Sequence, residues 1–379
     1  MSTAEVHQCV RGHVRPDGFE CGTPAAPLRI VGSGTWLDAG RPVNDAEPLS
    51  LAGDDAILEY VASDLTLTAR AGATLASIAR ATRAEGQWLA LDPYGTPNGT
   101  LGATIATGSA GPLAHAFGTP RDNVLGIEAV TGTGEIVRAG GRVVKNVAGF
   151  DLTRLFTGAW GTLAVITEAT VRLRALPERE QTITLALPSS DSMEGWLTKL
   201  RALPFTPLAL ELLNAPLARA LQVGDHALLL ARVGGNEDAV REQLRALGAL
   251  GEMIPAPMDA WSALAGIEPP GAAVVRVSAP TSRLHALWAR LSAPDDGALV
   301  HAAVGRGIVR CIRPASAHDS LAPWLDHVSQ TEGTHIFERL PATEWSRIPS
   351  RVNDPLSRAV RRAFDPQRIL NPGILGESA

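Results

Sequence analysis

The sequence predicts a two-domain α+β protein, and three observations carry that reading. Its 379 residues exceed what one hydrophobic core usually serves. The first zone, to about Pro177, is rich in Gly, Thr and Ala, and its short strand-like runs are joined by hairpin turns rather than crossover helices. The zone after it repeats one order of elements. A composition of 45% hydrophobic and 19% charged residues supplies ample material for a core. Lys and Arg total 34 against 39 Asp and Glu, a net charge of −5, so there is no positive field to hold a polyphosphate backbone. Nucleic acid is not an expected partner.

The elements follow from periodicity. Leu65–Ala71 alternates as a strand, and Thr74–Glu85 carries Leu75, Ile78, Ala79 and Thr82 at helical spacing, with Gly86 placed to stop it. The run LGIEAVTGTGEIV, Leu125–Val137, reads as two short strands around a Gly-containing turn. In the middle zone a strand at Thr182–Leu187 precedes a helix at Ser192–Leu203. Strands at Leu208–Leu213 and Ala227–Val233 and a helix at Glu237–Leu247 complete the unit. After a Pro- and Gly-rich link at Pro255–Gly271 the order recurs. Its elements are Ala273–Val277 (strand), Ser282–Leu291 (helix), Leu299–Val304 and Ile308–Ile312 (strands) and His318–Val328 (helix). Two βαββα units imply an antiparallel sheet with helices on one face. The last zone, from about Pro341, contains one helix, Pro355–Phe364, and the segment DPQRILNPG, whose Asn-Pro-Gly reads as an ordered turn.

Cys9, Cys21 and Cys311 are an odd number without C-x-x-C spacing, which points to neither a disulfide framework nor an iron–sulfur or zinc site. A reducing, cytoplasmic setting is expected. The amino terminus carries His7, Arg11, Arg15, Asp17 and Glu20 in place of an apolar leader, and no run of about 18 apolar residues occurs. Neither export nor a membrane span is expected.

Three segments carry candidate chemistry. In Arg29-Ile-Val-Gly32-Ser33-Gly34-Thr35 a short strand enters a loop whose small residues leave backbone N–H groups free, as a phosphate nest requires. A tight turn would use the same residues, and the third Gly of a dinucleotide fingerprint is missing. From Gly99 to Gly111, GTLGATIATGSAG, eleven of thirteen positions are Gly, Ala, Ser or Thr. So little side chain lets a flat ligand, or another backbone in a close-packed crossing, approach closely. The third segment, Lys145–Leu152 with Arg154–Thr167, combines a polar turn, an apolar helical face and a Gly-led strand. Lys145 and Asp151 there could simply pair within the turn.

In this order, IVGSGT, GTLGATIATGSAG, RDNVLGIEAV, GEIV, KNVAGFDLTRLFTGAWGTLAVITEATVRL and DPQRILNPG, the chain resembles the vanillyl-alcohol-oxidase, or PCMH-type, FAD-binding family. The likeness covers nearly all of residues 28–176 plus the tail. Within the superfamily, the short length and the KNVAGFDL form look most like the FAD-binding subunits of bacterial glycolate oxidase. The resemblance implies that Gly32, Ser33, Gly34 and Thr35 form the first pyrophosphate loop. It places Thr100, Leu101, Gly102, Thr107, Gly108 and Gly111 along the second side of FAD. Gly161, Val165 and Ile166 would present backbone to the cofactor, and Asn371 would close on it from the tail.

Relatives that tether flavin do so through a His or Cys at these loops, and neither loop has one, so non-covalent FAD is expected. His115, among Leu113, Ala114, Ala116 and Phe117, reads as structural. The His-rich metal site of related hydroxy-acid dehydrogenases is incomplete in VHAAVGRGIVR, and no metal is expected. His301 and Arg306 on that hairpin are the candidate catalytic residues, although plain strand alternation would aim them to opposite faces.

The resulting expectation is a FAD domain from residues 1–176, a cap from 177–340, and a segment 341–379 returning to the FAD domain. The resemblance implies a subunit of a complex that oxidises glycolate to glyoxylate, partnered by a second flavin subunit and an iron–sulfur subunit and touching a membrane only through them. A self-sufficient D-lactate-type dehydrogenase and a non-catalytic assembly subunit are the alternatives.

Overall fold

The computed structural model describes residues 1–14, 26–141, 150–293, 297–315 and 320–377. Lys145 and Cys21 lie outside them, as does the start of the helix expected from His318. The described chain forms two compact units. One comprises Met1–Ala110, Gly118–Leu176 and Trp345–Ala379; the other comprises Gly111–Phe117 and Pro177–Glu344. Against the boundaries read from sequence, the main difference is the seven-residue segment Gly111–Phe117, which joins the second unit.

The chain opens with helix α1 (Thr3–His13), which the sequence reading did not anticipate. Ser2 and Glu5 form a capping box at its start, and Val6 and Val10 are buried on one face. Strands β1 (Leu28–Val31) and β2 (Glu47–Ser50) pair in parallel. Then come β3 (Ile57–Val61), β4 (Thr66–Arg70), helix α2 (Leu75–Arg83) and the short β5 (Gln87–Trp88). Thr74 caps α2 by accepting from the Ser77 amide, so the expected helix starts one residue later than its pattern.

The small-residue run contains helix α3 (Leu101–Thr107), capped by Thr100 and ended by Gly108 at φ 65°. Two single-turn helices follow, α4 (Ala114–Phe117) and α5 (Pro120–Asn123). The hairpin β6 (Val124–Thr131) and β7 (Ile136–Gly140) appears as expected. Asp151 accepts from the Arg154 amide and pairs with Arg154, so it caps α6 (Leu152–Phe156). Strand β8 (Ala164–Arg172) then pairs with both β4 and β6, and β9 (Arg174–Ala175) pairs with β5. The central sheet of this unit runs β3-β4-β8-β6-β7.

The second unit has one eight-stranded antiparallel sheet. Its first half holds β10 (Arg179–Ala186), α7 (Ser190–Arg201), β11 (Ala209–Leu213), α8 (Ala215–Ala220), β12 (Leu228–Gly235), α9 (Glu237–Gly248) and β13 (Met253–Pro255). The Pro- and Gly-rich link is not bare: it contains α10 (Ala260–Ala265), which buries Trp261 and Leu264. The second half holds β14 (Ala273–Ser278), α11 (Leu284–Ser292), β15 (Leu299–Ala303), β16 (Ile308–Arg313), α12 (Ala322–Ser329) and β17 (Thr334–Arg339).

The sheet order is β13-β10-β12-β11-β15-β16-β14-β17. Counted outward from the centre, both halves place their second, third, first and fourth strands in the same order, and β11 pairs antiparallel with β15 where they meet. The predicted repeat is therefore real, with a fourth strand in each half that the pattern did not reveal. Helices α8 and α10 pack on the face that carries Ala209, Leu213, Leu228 and Leu230. The tail helix α13 (Pro355–Phe364) has the predicted bounds and belongs to the first unit.

Candidate functional site

The first unit contains a groove of roughly 670 Å³. The loop after β1 forms one side, and Gly32, Gly34 and Thr35 line it. Ser33 is exposed beside it, its hydroxyl 3.2 Å from that of Thr35. Among the described residues no carbonyl accepts from the amides of Gly32, Ser33 or Gly34. Three consecutive free donors in a turn, with Gly34 at φ 88°, make an anion-binding concavity. A Cβ on Gly32 would lie 2.4 Å from Thr100 Oγ1, so glycine there keeps the two walls close.

Thr100, Gly102 and Thr107 line the opposite side on α3. The amides at the start of that helix are already used: Leu101 donates to Ala73 O and Gly102 to Ala71 O at 2.8 Å, and Ala103 donates to Thr100 Oγ1. Of these two walls, the free amides described above lie on the first loop, and the small residues of α3 allow close approach. The Leu101 side chain is fully buried in the core, Gly108 forms the helix C-cap outside the groove lining, and Gly111 lies in the other unit. Gly161 and Ile166 line the groove, whereas Val165 is a core residue with no exposure.

Asn371 is where the tail meets this groove. Its Oδ1 accepts from the Ile30 amide at 2.9 Å and its Nδ2 donates to Trp160 O at 2.8 Å, tying β1 to the turn before β8. The turn holding it is anchored by Asp365, fully buried, which accepts from the amides of Ile369 and Leu370. The sequence reading gave no role to Arg29, Trp36 or Trp160, which also line the groove. The two indoles meet edge to face at 6.0 Å. A narrow groove with small walls, free amides and aromatic rings fits a dinucleotide such as FAD, which supplies hydride-accepting chemistry when bound. Among the described residues of both loops no His or Cys lines the groove.

The second unit holds a buried row of charged side chains across its sheet. His301 on β15 faces Arg310 on β16, and Arg310 faces Arg276 on β14. At one end His301 Nδ1 donates to Glu211 of β11 at 2.8 Å, with both side chains almost completely buried. At the other end Arg310 Nη2 lies 2.6 Å from Glu338, and its Nη1 meets Glu268, which also accepts from Arg339 at 2.7 Å. Burial pushes the Glu338 carboxyl up, but the guanidiniums of Arg310 and Arg276 outweigh it and hold the group below the usual carboxylate range. Burial lowers Arg339 to about 10.

Arg306 does not sit on a strand. β15 ends at Ala303, and the amides of Arg306 and Gly307 both donate to Ala303 O at 3.1 Å in the hairpin turn, so strand alternation does not govern its direction. His115 joins this region: a Cβ on Gly305 would lie 2.4 Å from its Cε1 and Nδ1. Burial lowers the His115 pKa, Glu211 opposes that and Arg306 adds to it. The Nδ1 atom is buried without a hydrogen-bond partner among the described residues. The structure thus brings His301, Glu211, His115 and Arg306 to one part of the unit. Sequence placed only the first and last together.

A neutral buried His115 has a stability consequence. Its folded pKa is depressed, so below the unfolded value of about 6.5 the unfolded chain binds more protons and stability is lost as pH falls. Denaturation midpoints measured between pH 7.5 and 5.5 should therefore fall less steeply in His115→Asn than in the parent. The difference in slope is at most about 1.4 kcal/mol per pH unit. Parallel profiles would show that His115 protonates freely in the fold.

No helix among the described residues is long and apolar enough to cross a membrane. A sequence model described as an FAD binding domain matches residues 20–140. The glycolate oxidase subunit GlcE of Escherichia coli (strain K12) is 30% identical over 357 residues, covering 92% of this chain and 92% of that protein. The glycolate oxidase subunit GlcD of Bacillus subtilis (strain 168) is 34% identical over 197 residues, 52% of this chain and 42% of the relative's length. A solved structure of alkyldihydroxyacetonephosphate synthase superposes with a TM-score of 0.68 over 98% of this chain and 74% of its own, at 17% identity, a likeness of fold alone. The chain therefore belongs to the PCMH-type family of FAD-dependent oxidoreductases that includes the glycolate oxidase subunits, and FAD is its cofactor.

Proposed function

We propose that this chain is the FAD-binding subunit of a complex that oxidises a small 2-hydroxy acid, glycolate in the first instance, to the 2-oxo acid. The observation that carries the reading is the match to GlcE along nearly the full length of both chains. It is supported by the groove whose free amides and small walls suit FAD. The proposed partners are a second flavin subunit of the GlcD kind and an iron–sulfur subunit. In this reading FAD is held without a covalent bond. His301, whose Nδ1 is engaged by Glu211, takes the substrate hydroxyl proton, and Arg306 anchors the carboxylate.

The test is to purify the chain alone and with its co-purifying partners, record visible spectra, and assay each with glycolate and D-lactate using an artificial electron acceptor. The expected result is a yellow chain whose flavin is released intact by acid or heat, with little turnover alone and glycolate turnover in the complex. Full turnover of D-lactate by the isolated chain would replace this reading with a self-sufficient dehydrogenase. A colourless complex would leave an assembly subunit.

A further inference from the structure

The FAD groove contains a cation with no acidic partner among the described residues. Arg29 lies on β1 with its guanidinium over the following loop, where Nη2 donates to the carbonyls of Trp36 and Leu37 at 3.5 and 3.4 Å. Both contacts are long, and both acceptors are uncharged. The side chain lines the same groove as Gly32 and Gly34. Burial lowers its pKa, and no described carboxylate contributes to its electrostatics. Of the other half-buried arginines of this unit, Arg70 pairs with Glu168 and Asp54 and Arg361 with Asp365 and Glu377, whereas Arg41 also bonds only carbonyls, those of Trp345 and Ile348, but does not line this groove.

Burying a charge without a counter-ion is costly, so an uncompensated arginine beside free amides marks a place built for an anion. No described side chain supplies that anion. FAD carries its negative charge only on its diphosphate, and the Gly32–Gly34 amides offer hydrogen bonds to the same group. We infer that Arg29 supplies the positive charge that neutralises the cofactor's diphosphate. It is thus a specificity residue that makes the groove select a dinucleotide over an uncharged flavin. This inference rests on FAD as cofactor and is independent of the substrate proposed above.

The experiment measures FAD affinity of the full chain, stripped of flavin, by flavin fluorescence at low and high salt. The parent is compared with Arg29→Gln and Arg29→Lys, and each protein's melting temperature without flavin is recorded. Arg29→Gln should weaken FAD by about ten- to hundredfold, the usual loss for a charged hydrogen bond. It should also flatten the salt dependence, because the screened interaction is gone. Arg29→Lys should recover part of the affinity and the salt dependence, with flavin-free melting temperatures alike in all three. Unchanged FAD affinity in Arg29→Gln would overturn the inference. So would a loss that retains the parent's salt dependence, or one that Lys fails to restore, since either makes Arg29 a support for the loop carbonyls. If Arg29→Gln binds no measurable flavin, the lysine variant alone decides.

Discussion

Gly32→Val should leave the folded chain with little or no flavin. The new Cβ would stand 2.4 Å from Thr100 Oγ1 and 3.3 Å from Thr100 Cγ2, so the loop after β1 and the start of α3 must move apart. That separation removes the free amides from their places. Overpacking of this kind costs about 1–3 kcal/mol, which corresponds to FAD binding weaker by roughly 5-fold to 150-fold. Gly32 has no positive φ, so backbone strain is not the cause, and Gly32→Val combined with Thr100→Ala should regain part of the lost affinity. Flavin retained at parental stoichiometry in the single variant would place the diphosphate elsewhere. By comparison Gly108, at φ 65° and with a would-be Cβ 3.2 Å from Gly158 Cα, acts on the helix end and not on the groove wall.

The second large effect belongs to the other unit. Arg310→Ala should destabilise the second unit by about 3–5 kcal/mol, because Glu338 and Glu268 lose the cation between them while remaining buried. For a unit of this size the melting temperature should fall by about 6–20 °C. Replacing Arg310 by Lys instead should cost less, since a cation then still stands between the two carboxylates. A single variant that melts with the parent would mean that Arg276 and Arg339 neutralise both carboxylates unaided.

Much of the architecture was legible because it is written locally. Alternation located the middle-zone strands, and Thr74 and Gly86 punctuate a helix through contacts within a few residues. The small-residue run was legible as a place of close approach, but two partners compete for that property. Gly102 answers to Ala71, 2.7 Å from its would-be Cβ, as much as to a ligand.

The charged row was not legible. Glu211, Arg276, His301, Arg310 and Glu338 each stand among mostly apolar strand residues far apart in sequence, and only the order of strands aligns them. Arg29 was hidden for a different reason: a lone arginine in a strand is ordinary until its missing counter-ion is seen. Likewise His115 reads as a packing residue from its neighbours, and only the fold sets it against the Gly305 turn.

The meeting of β11 and β15 has a consequence for how the second unit could be divided. Each half ends there in a strand whose inward hydrogen-bonding groups are satisfied by its counterpart, so each half shields the other from solvent and from foreign strands. A fragment carrying only one half would expose that border along its length. Because the two borders hold equivalent places in their repeats, a second copy of the fragment could dock on the first about a twofold axis. In the intact chain, covalent linkage through residues 256–272 lets the two sides differ, and the hydrogen bond between Glu211 and His301 is a pairing that two identical sides could form only in duplicate.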